Sequence, residues 1–152
     1  MELIAKNFNL ANQNNTFRQL TDYQGQWLVL WFYPKDNTPG CTLEGIAFRD
    51  HYAEFQKRNI AVVGISKDDV NKHQKFCSKY DFPFDLLADT ETKTCQDYGV
   101  WVEKSFMGKK YQGIERTTFL INPDGEIIHF WKKVKVANHV REVLAKITEL
   151  NI

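Results

Sequence analysis

The chain lacks the features that mark several large classes of protein. No apolar run approaches the roughly 20 residues that a membrane-spanning helix needs. The N-terminus has no basic segment followed by an apolar one, so no signal peptide is predicted. The charges are balanced, with 20 basic and 19 acidic side chains and a formal net charge of +1. Neither nucleic acid nor a membrane is therefore expected as a partner.

Cysteine is also scarce, since the chain has only Cys41, Cys77 and Cys95. An odd number in a chain of this length does not build a disulfide scaffold. The C-x-x-C pair of zinc modules and thioredoxin-type dithiol centres is missing, and the histidines are scattered. A reducing compartment fits this usage. We therefore expect a cytoplasmic protein with reactive thiols, and neither a metal nor another cofactor.

The length and composition fit one globular domain over residues 1–152, with 43% hydrophobic and 26% charged residues. Two continuous apolar runs, 27–33 and 60–66, predict central strands that are buried on both faces. Helical spacing follows each of them, and a hairpin and a closing helix end the chain. Further strands are predicted over 85–88 and 116–121, a hairpin arm over 126–134, and helices over 42–58, 69–80, 90–98 and 140–150. This order predicts an α/β fold with a mixed central sheet covered by helices on both faces.

The segment after the first apolar strand carries Pro34, Thr38 and Cys41. Helical spacing from Thr42 onward places Cys41 at the first helical turn, where backbone N–H groups have no intrahelical partner. These donors and the helix dipole favour a thiolate, the reactive form of cysteine. Packing in a core is the ordinary role of a cysteine, but this position favours chemistry. A cysteine hydrolase would also need a histidine at the site, and none can be assigned.

The pattern Pro34-x-x-x-Thr38-x-x-Cys41 resembles the active-site signature of the peroxiredoxins, which are thiol peroxidases with a thioredoxin-like fold. One branch of the family, the bacterioferritin comigratory proteins or PrxQ, has a sequence similar to the segment that begins at Tyr33, Tyr-Pro-Lys-Asp-Asn-Thr-Pro-Gly-Cys-Thr-Leu-Glu. A second segment, 115–121, resembles the family strand that carries the active-site arginine, here Arg116. The resemblance covers nearly the whole chain and implies a thioredoxin-like fold.

The resemblance also implies a role for each motif residue. Cys41 would attack the peroxide, and the guanidinium of Arg116 would stabilise both the thiolate and the breaking O–O bond. Thr38 would orient the peroxide, and Pro34 would shield the sulfur from water. Glu44 has two open roles, either to restrain an arginine such as Arg116 or to favour the first turn of the helix. The second is simpler and is favoured here.

Oxidation would leave a sulfenic acid that another thiol can trap as a disulfide. In the resembled branch, one subgroup has its resolving cysteine in the helix after the second strong strand, at the offset of Cys77. The other subgroup has it five residues after the nucleophile, which is Ile46 here. Cys77 is therefore favoured, and Cys95 is expected to be a packing residue. A disulfide needs Cα atoms within about 7 Å. Two cysteines on separate helices are expected to lie farther apart, so both segments are expected to unwind locally.

The expected partners are a hydroperoxide substrate and thioredoxin or a similar dithiol reductant, and a monomer is favoured. Two alternatives remain open. In a one-cysteine mechanism, an external thiol would reduce Cys41 directly. In a non-catalytic binding or chaperone protein with a thioredoxin-like fold, Cys41 would be vestigial. The joint presence of Pro34, Thr38, Cys41 and Arg116 argues against this second alternative.

Overall fold

The computed structural model describes residues 3–152. The strands, in chain order, are β1 (Asn9–Ala11), β2 (Phe17–Gln19), β3 (Trp27–Phe32), β4 (Ile60–Ser66), β5 (Asp85–Ala88), β6 (Trp101–Phe106), β7 (Lys109–Ile114), β8 (Thr117–Ile121) and β9 (Ile127–Trp131). The helices are α1 (Pro39–Asp50), α2 (Tyr52–Lys57), α3 (Val70–Tyr80), α4 (Lys93–Asp97) and α5 (His139–Glu149), and a short 3-10 helix covers Leu20–Tyr23.

A five-stranded mixed sheet forms the centre of the fold, in the order β5-β4-β3-β8-β9. Strands β3, β4 and β5 run parallel, whereas β8 runs antiparallel to both β3 and β9. The two apolar runs lie next to each other, because only inner strands are covered on both faces. The predicted α/β fold class with a mixed central sheet is confirmed.

Alternate residues of β3 point into two separate cores. Val29 and Trp31 face the core that contains Cys41 and Cys77, whereas Leu28 and Leu30 face the core that contains Cys95. Successive side chains of a strand point to opposite faces. The sheet therefore separates Cys95 from the other two cysteines.

Two local predictions were wrong. The helix expected over 42–58 is divided at His51 into α1 and α2. The hairpin arm expected over 126–134 ends at Trp131, and Lys133 has a φ of 50°, which a strand does not accommodate. No strand was predicted over 100–114, where the antiparallel hairpin β6–β7 forms.

None of the helices within residues 3–152 combines the length and the apolar character required to span a membrane.

Candidate active site

Helix α1 follows the central strand β3 after the loop 33–38. Thr38 is its N-cap residue and Pro39 its first residue, a position where the missing N–H of proline costs nothing. The first helical hydrogen bond runs from the N–H of Thr42 to the carbonyl of Thr38, at 2.8 Å. Cys41 thus lies in the first turn, as predicted, before the ladder of helical hydrogen bonds begins.

Arg116 lies immediately before β8, and its guanidinium contacts Cys41. Its Nη2 atom lies 3.3 Å from Cys41 Sγ. Strands β3 and β8 are paired, with Phe32 opposite Thr117, which places Arg116 beside the start of α1. A Cβ atom at Gly40 would lie 3.1 Å from Nη2, so the absence of a side chain at Gly40 lets the guanidinium approach. The structure therefore brings together the two residues that the sequence placed in the chemistry.

Glu44 anchors the same guanidinium, so the role favoured from the sequence is wrong. Its Oε1 atom accepts a hydrogen bond from Arg116 Nη1 at 2.6 Å, and the side chain has no exposed surface. Glu44 is the sixth residue of α1, beyond the first turn where it would act on the helix end. Burial raises the pKa of Glu44 to about 7, and the charge of Arg116 partly offsets this effect. Among the described residues, no hydrogen-bond partner contacts its Oε2 atom.

Thr38 and Pro34 lie in the loop before Cys41, and within the described residues neither forms a hydrogen bond to its sulfur. The Thr38 hydroxyl donates to the carbonyl of Lys35 at 2.7 Å, so it does not cap α1 through its side chain. Pro34 is half-buried in the loop between β3 and α1, while Cys41 itself is only 1% exposed. The sulfur is thus nearly covered, and only a small reactive group can reach it.

Lys104, on strand β6, is a charged neighbour that sequence reasoning missed. Burial lowers its pKa, the positive charge of Arg116 lowers it further, and Cys41 and Glu115 act in the opposite direction. Its stem packs against Gly113, where a Cβ atom would lie 3.2 Å from Lys104 Cδ. Nothing in the sequence indicated this neighbour, because the position of Lys104 depends on the pairing of β6 with β7.

A buried histidine, also missed from the sequence, is close enough to Arg116 to feel its charge. His139 Nε2 is 2.8 Å from the Thr118 hydroxyl, and the residue is 1% exposed. Burial lowers the pKa of His139 to about 4, and the charge of Arg116 adds to this effect. The ring is therefore neutral at physiological pH and adds no second positive charge near Arg116.

The other two cysteines are buried as thiols, and no disulfide joins any of the three. Cys77 lies on α3, where burial and then Asp36 and Asp85 raise its pKa to about 12. For Cys95, burial and then the Asp89 carboxylate raise the pKa. A thiol held in its protonated form is a poor nucleophile. In the folded state, neither residue is prepared for attack.

No group of three or more potential metal ligands occurs within residues 3–152.

Known proteins match most of the chain. A model of the AhpC/TSA family matches residues 2–130. Peroxiredoxin Bcp of Bacillus subtilis is 43% identical, over 97% of this chain and 94% of the relative. Two structures of Xanthomonas campestris peroxiredoxin Q, each with a different cysteine mutated to serine, are 42% identical. Their TM-scores are 0.90 and 0.89, over 93% of this chain and 90% of theirs.

A further solved structure concerns the alkyl peroxide reduction activity of Xanthomonas campestris bacterioferritin comigratory protein. It is 41% identical to this chain, with a TM-score of 0.89 over 93% of this chain and 90% of that one.

Proposed function

The chain belongs to the AhpC/TSA family, as a thiol peroxidase of the Bcp type among the peroxiredoxins, and on this premise we propose that Cys41 is its peroxide-reactive cysteine. The observation that carries the proposal is the 3.3 Å contact between Cys41 Sγ and Arg116 Nη2. A fixed cation beside a helix N-terminus stabilises a thiolate, which is the attacking form. The other two cysteines lack such a partner in the described structure, and burial favours their thiol forms.

In the first step, the Cys41 thiolate attacks the terminal oxygen of a hydroperoxide. The S–O bond forms as the O–O bond breaks, so sulfur is oxidised to a sulfenic acid and the peroxide is reduced to water or an alcohol. A proton from solvent completes the leaving group. Arg116 is already aimed at the sulfur and can also stabilise the negative charge that develops on the departing oxygen. Thr38 orients the peroxide and Pro34 limits the access of water.

Cys77 resolves the sulfenic acid in this proposal. Its thiol displaces the Cys41 hydroxyl, which forms an S–S bond and releases one water molecule. Cys41 and Cys77 face the same core, whereas Cys95 lies across the sheet. The two mutated cysteines of Xanthomonas campestris peroxiredoxin Q are separated by the same number of residues as Cys41 and Cys77, which supports this pairing. Because Cys77 is a buried thiol, its segment must open before it can react.

Thioredoxin or a similar dithiol then reduces the disulfide of a monomeric, cytoplasmic enzyme. Three unbridged cysteines fit a reducing compartment. Organic hydroperoxides are proposed as substrates together with hydrogen peroxide, supported by the alkyl peroxide reduction activity named for the Xanthomonas campestris relative. The near-complete cover over Cys41 admits the terminal peroxide oxygen and leaves the organic group outside.

A thioredoxin-coupled peroxidase assay on three single variants tests the proposal. Wild type and Cys95→Ser should consume NADPH, and Cys41→Ser should be inactive. Cys77→Ser should reduce one equivalent of peroxide and then stop with thioredoxin. Peptide mapping under non-reducing conditions should give a 41–77 bridge. An active Cys41→Ser variant would refute the assignment of Cys41 as the nucleophile, whereas sustained turnover of Cys77→Ser would favour the one-cysteine mechanism.

A further inference from the structure

A buried polar chain connects the loop before Cys41 to the helix that carries Cys77. Tyr33 donates its hydroxyl proton to Asp36 Oδ1 at 2.6 Å, and His73 Nδ1 lies 2.6 Å from Asp36 Oδ2. His73 Nε2 lies 2.9 Å from the carbonyl of Leu87. Tyr33 and His73 have no exposed surface, and Asp36 is 8% exposed. Both ring nitrogens of His73 face acceptors, which fixes the orientation of the ring between the loop and β5.

From this geometry we propose that His73 is a positioning residue for the resolving step. Through its pair with Asp36, it clamps together the two segments whose downstream ends carry Cys41 and Cys77. The proposal rests on the 41–77 disulfide of the proposed function. The Asp36–His73 pair lies five residues before Cys41 and four before Cys77. It thus stands upstream of both segments that must unwind.

Downstream of this pair, the described polar contacts between the same two segments are less buried. Arg49 Nη1 donates to the carbonyl of Tyr80 at 2.8 Å in a part-buried position. The Asn37 side chain accepts hydrogen bonds from Lys79 Nζ at 3.4 Å and from the Tyr80 hydroxyl at 3.3 Å, and both bonds are exposed. The pair itself is held by a further buried bond, from the N–H of Asp36 to Asp68 Oδ2 at 2.8 Å. Buried charge-assisted bonds are stronger than long exposed ones. Opening is therefore expected at the cysteine ends, while the Asp36–His73 pair stays closed.

A closed pair leaves enough chain for the cysteines to meet. At about 3.3–3.6 Å per extended residue, Cys41 can move about 17 Å from Asp36, and Cys77 about 13 Å from His73. Without the pair, the bond from the N–H of Asp36 to Asp68 still holds the loop, so the tethers begin at Asp36 and Asp68. Their combined length rises from about 9 to about 14 residues. Effective concentration falls roughly as the −3/2 power of tether length, so disulfide formation should slow about twofold.

The test compares His73→Leu and Asp36→Ala with Tyr33→Phe. The Tyr33→Phe variant removes a bond of the same length from the same buried chain but leaves the Asp36–His73 pair intact. Rapid-mixing kinetics separate the oxidation of Cys41 from the formation of the 41–77 disulfide. Both test variants should keep the oxidation rate and slow the disulfide step about twofold. The double variant should be no slower than either single one, because both changes break the same bond, and Tyr33→Phe should retain wild-type rates.

Unchanged or faster disulfide formation in His73→Leu would overturn the proposal. If the Asp36–His73 bond only resisted the opening of the two segments, its loss would make disulfide formation faster. Absence of a 41–77 bridge in wild type would instead refute the proposed resolving cysteine. Should the variants fail to fold, hydrogen exchange on oxidised wild type decides. Protection should be lost around Cys77 and kept over residues 66–73. Loss of protection over 66–73 would overturn the proposal.

Discussion

The guanidinium of Arg116 lies 2.6 Å from the carboxylate of Glu44, a side chain without exposed surface. One arm of the guanidinium is used for this pair, and the other arm is left for Cys41 Sγ. A planar group held at one end has little freedom to turn at the other. Glu44 therefore fixes the orientation in which Arg116 meets the sulfur and the incoming peroxide.

Replacement of Arg116 by lysine should slow peroxide reduction on the order of 10²-fold, the loss typical for a removed charge-stabilising donor. Lysine keeps the charge, but a single ammonium cannot bind Glu44 and Cys41 through two directed arms. The second-order rate constant of Cys41 oxidation measures the effect. Arg141→Lys, at an exposed position of α5, is the matched control. A rate close to that of wild type in Arg116→Lys would contradict the two-armed role.

The raised pKa of Glu44 should make its contribution to stability fall with rising pH. Burial raises that pKa from 4.5 to about 7, so the folded state binds the proton more tightly than the unfolded chain. The free energy of unfolding should lose at most about 3 kcal/mol from this group between about pH 4.5 and 7. In Glu44→Gln, denaturant titrations across this range should lack this downward component. The same pH dependence in wild type and variant would count against a raised pKa.

His139 should act in the opposite direction. Burial and then Arg116 lower its pKa from 6.5 to about 4, so the unfolded chain binds the proton more tightly. Its contribution to stability is present above about pH 6.5 and is lost as the pH falls towards about 4. The two effects partly cancel in wild type. Stability of His139→Gln should fall more steeply than that of wild type as the pH rises, and a curve identical to wild type would refute the assignment.

Alanine substitutions at two glycines of α1 should affect different properties, one the stability and the other the activity. A Cβ atom at Gly45 would lie 2.5 Å from Phe82 Cζ in the buried core, so Gly45→Ala should cost about 1–3 kcal/mol by overpacking. Thermal or denaturant unfolding measures this. At Gly40, the Cβ would meet Arg116 Nη2 instead, so Gly40→Ala should keep its stability and slow the oxidation of Cys41. Equal losses of stability in both variants would contradict the distinction.

Secondary-structure elements were predictable where the sequence has a strong local pattern. The apolar runs became β3 and β4, and the hairpin predicted from 116–121 and 126–134 is formed by β8 and β9. Hairpin β6–β7 was missed because most of its residues are exposed, which removes the alternation that reveals a strand. Pairing across the hairpin, and not local pattern, orders that segment.

At the site, the sequence identified Cys41 and Arg116 but misjudged Glu44 and missed His139. The motif fixes residue types near Cys41, whereas the burial of Glu44 depends on the packing of α1 against the sheet. His139 lies only one residue before the apolar spacing of α5, and nothing local indicates that its ring meets Thr118. The Asp36–His73 pair joins residues 37 positions apart and leaves no periodic signal. Such contacts depend on tertiary structure.

Trapping of the oxidised cysteine tests the central claim most directly. The Cys77→Ser variant, treated with one equivalent of peroxide in the presence of a sulfenic-acid-specific 1,3-dione, is digested and analysed by mass spectrometry. The account predicts one adduct per chain, on Cys41, and its loss on further mutation of Cys41 to serine. An adduct on Cys95, or an unmodified Cys41 after the peroxide has been consumed, would contradict the claim that the sulfur beside Arg116 performs the chemistry.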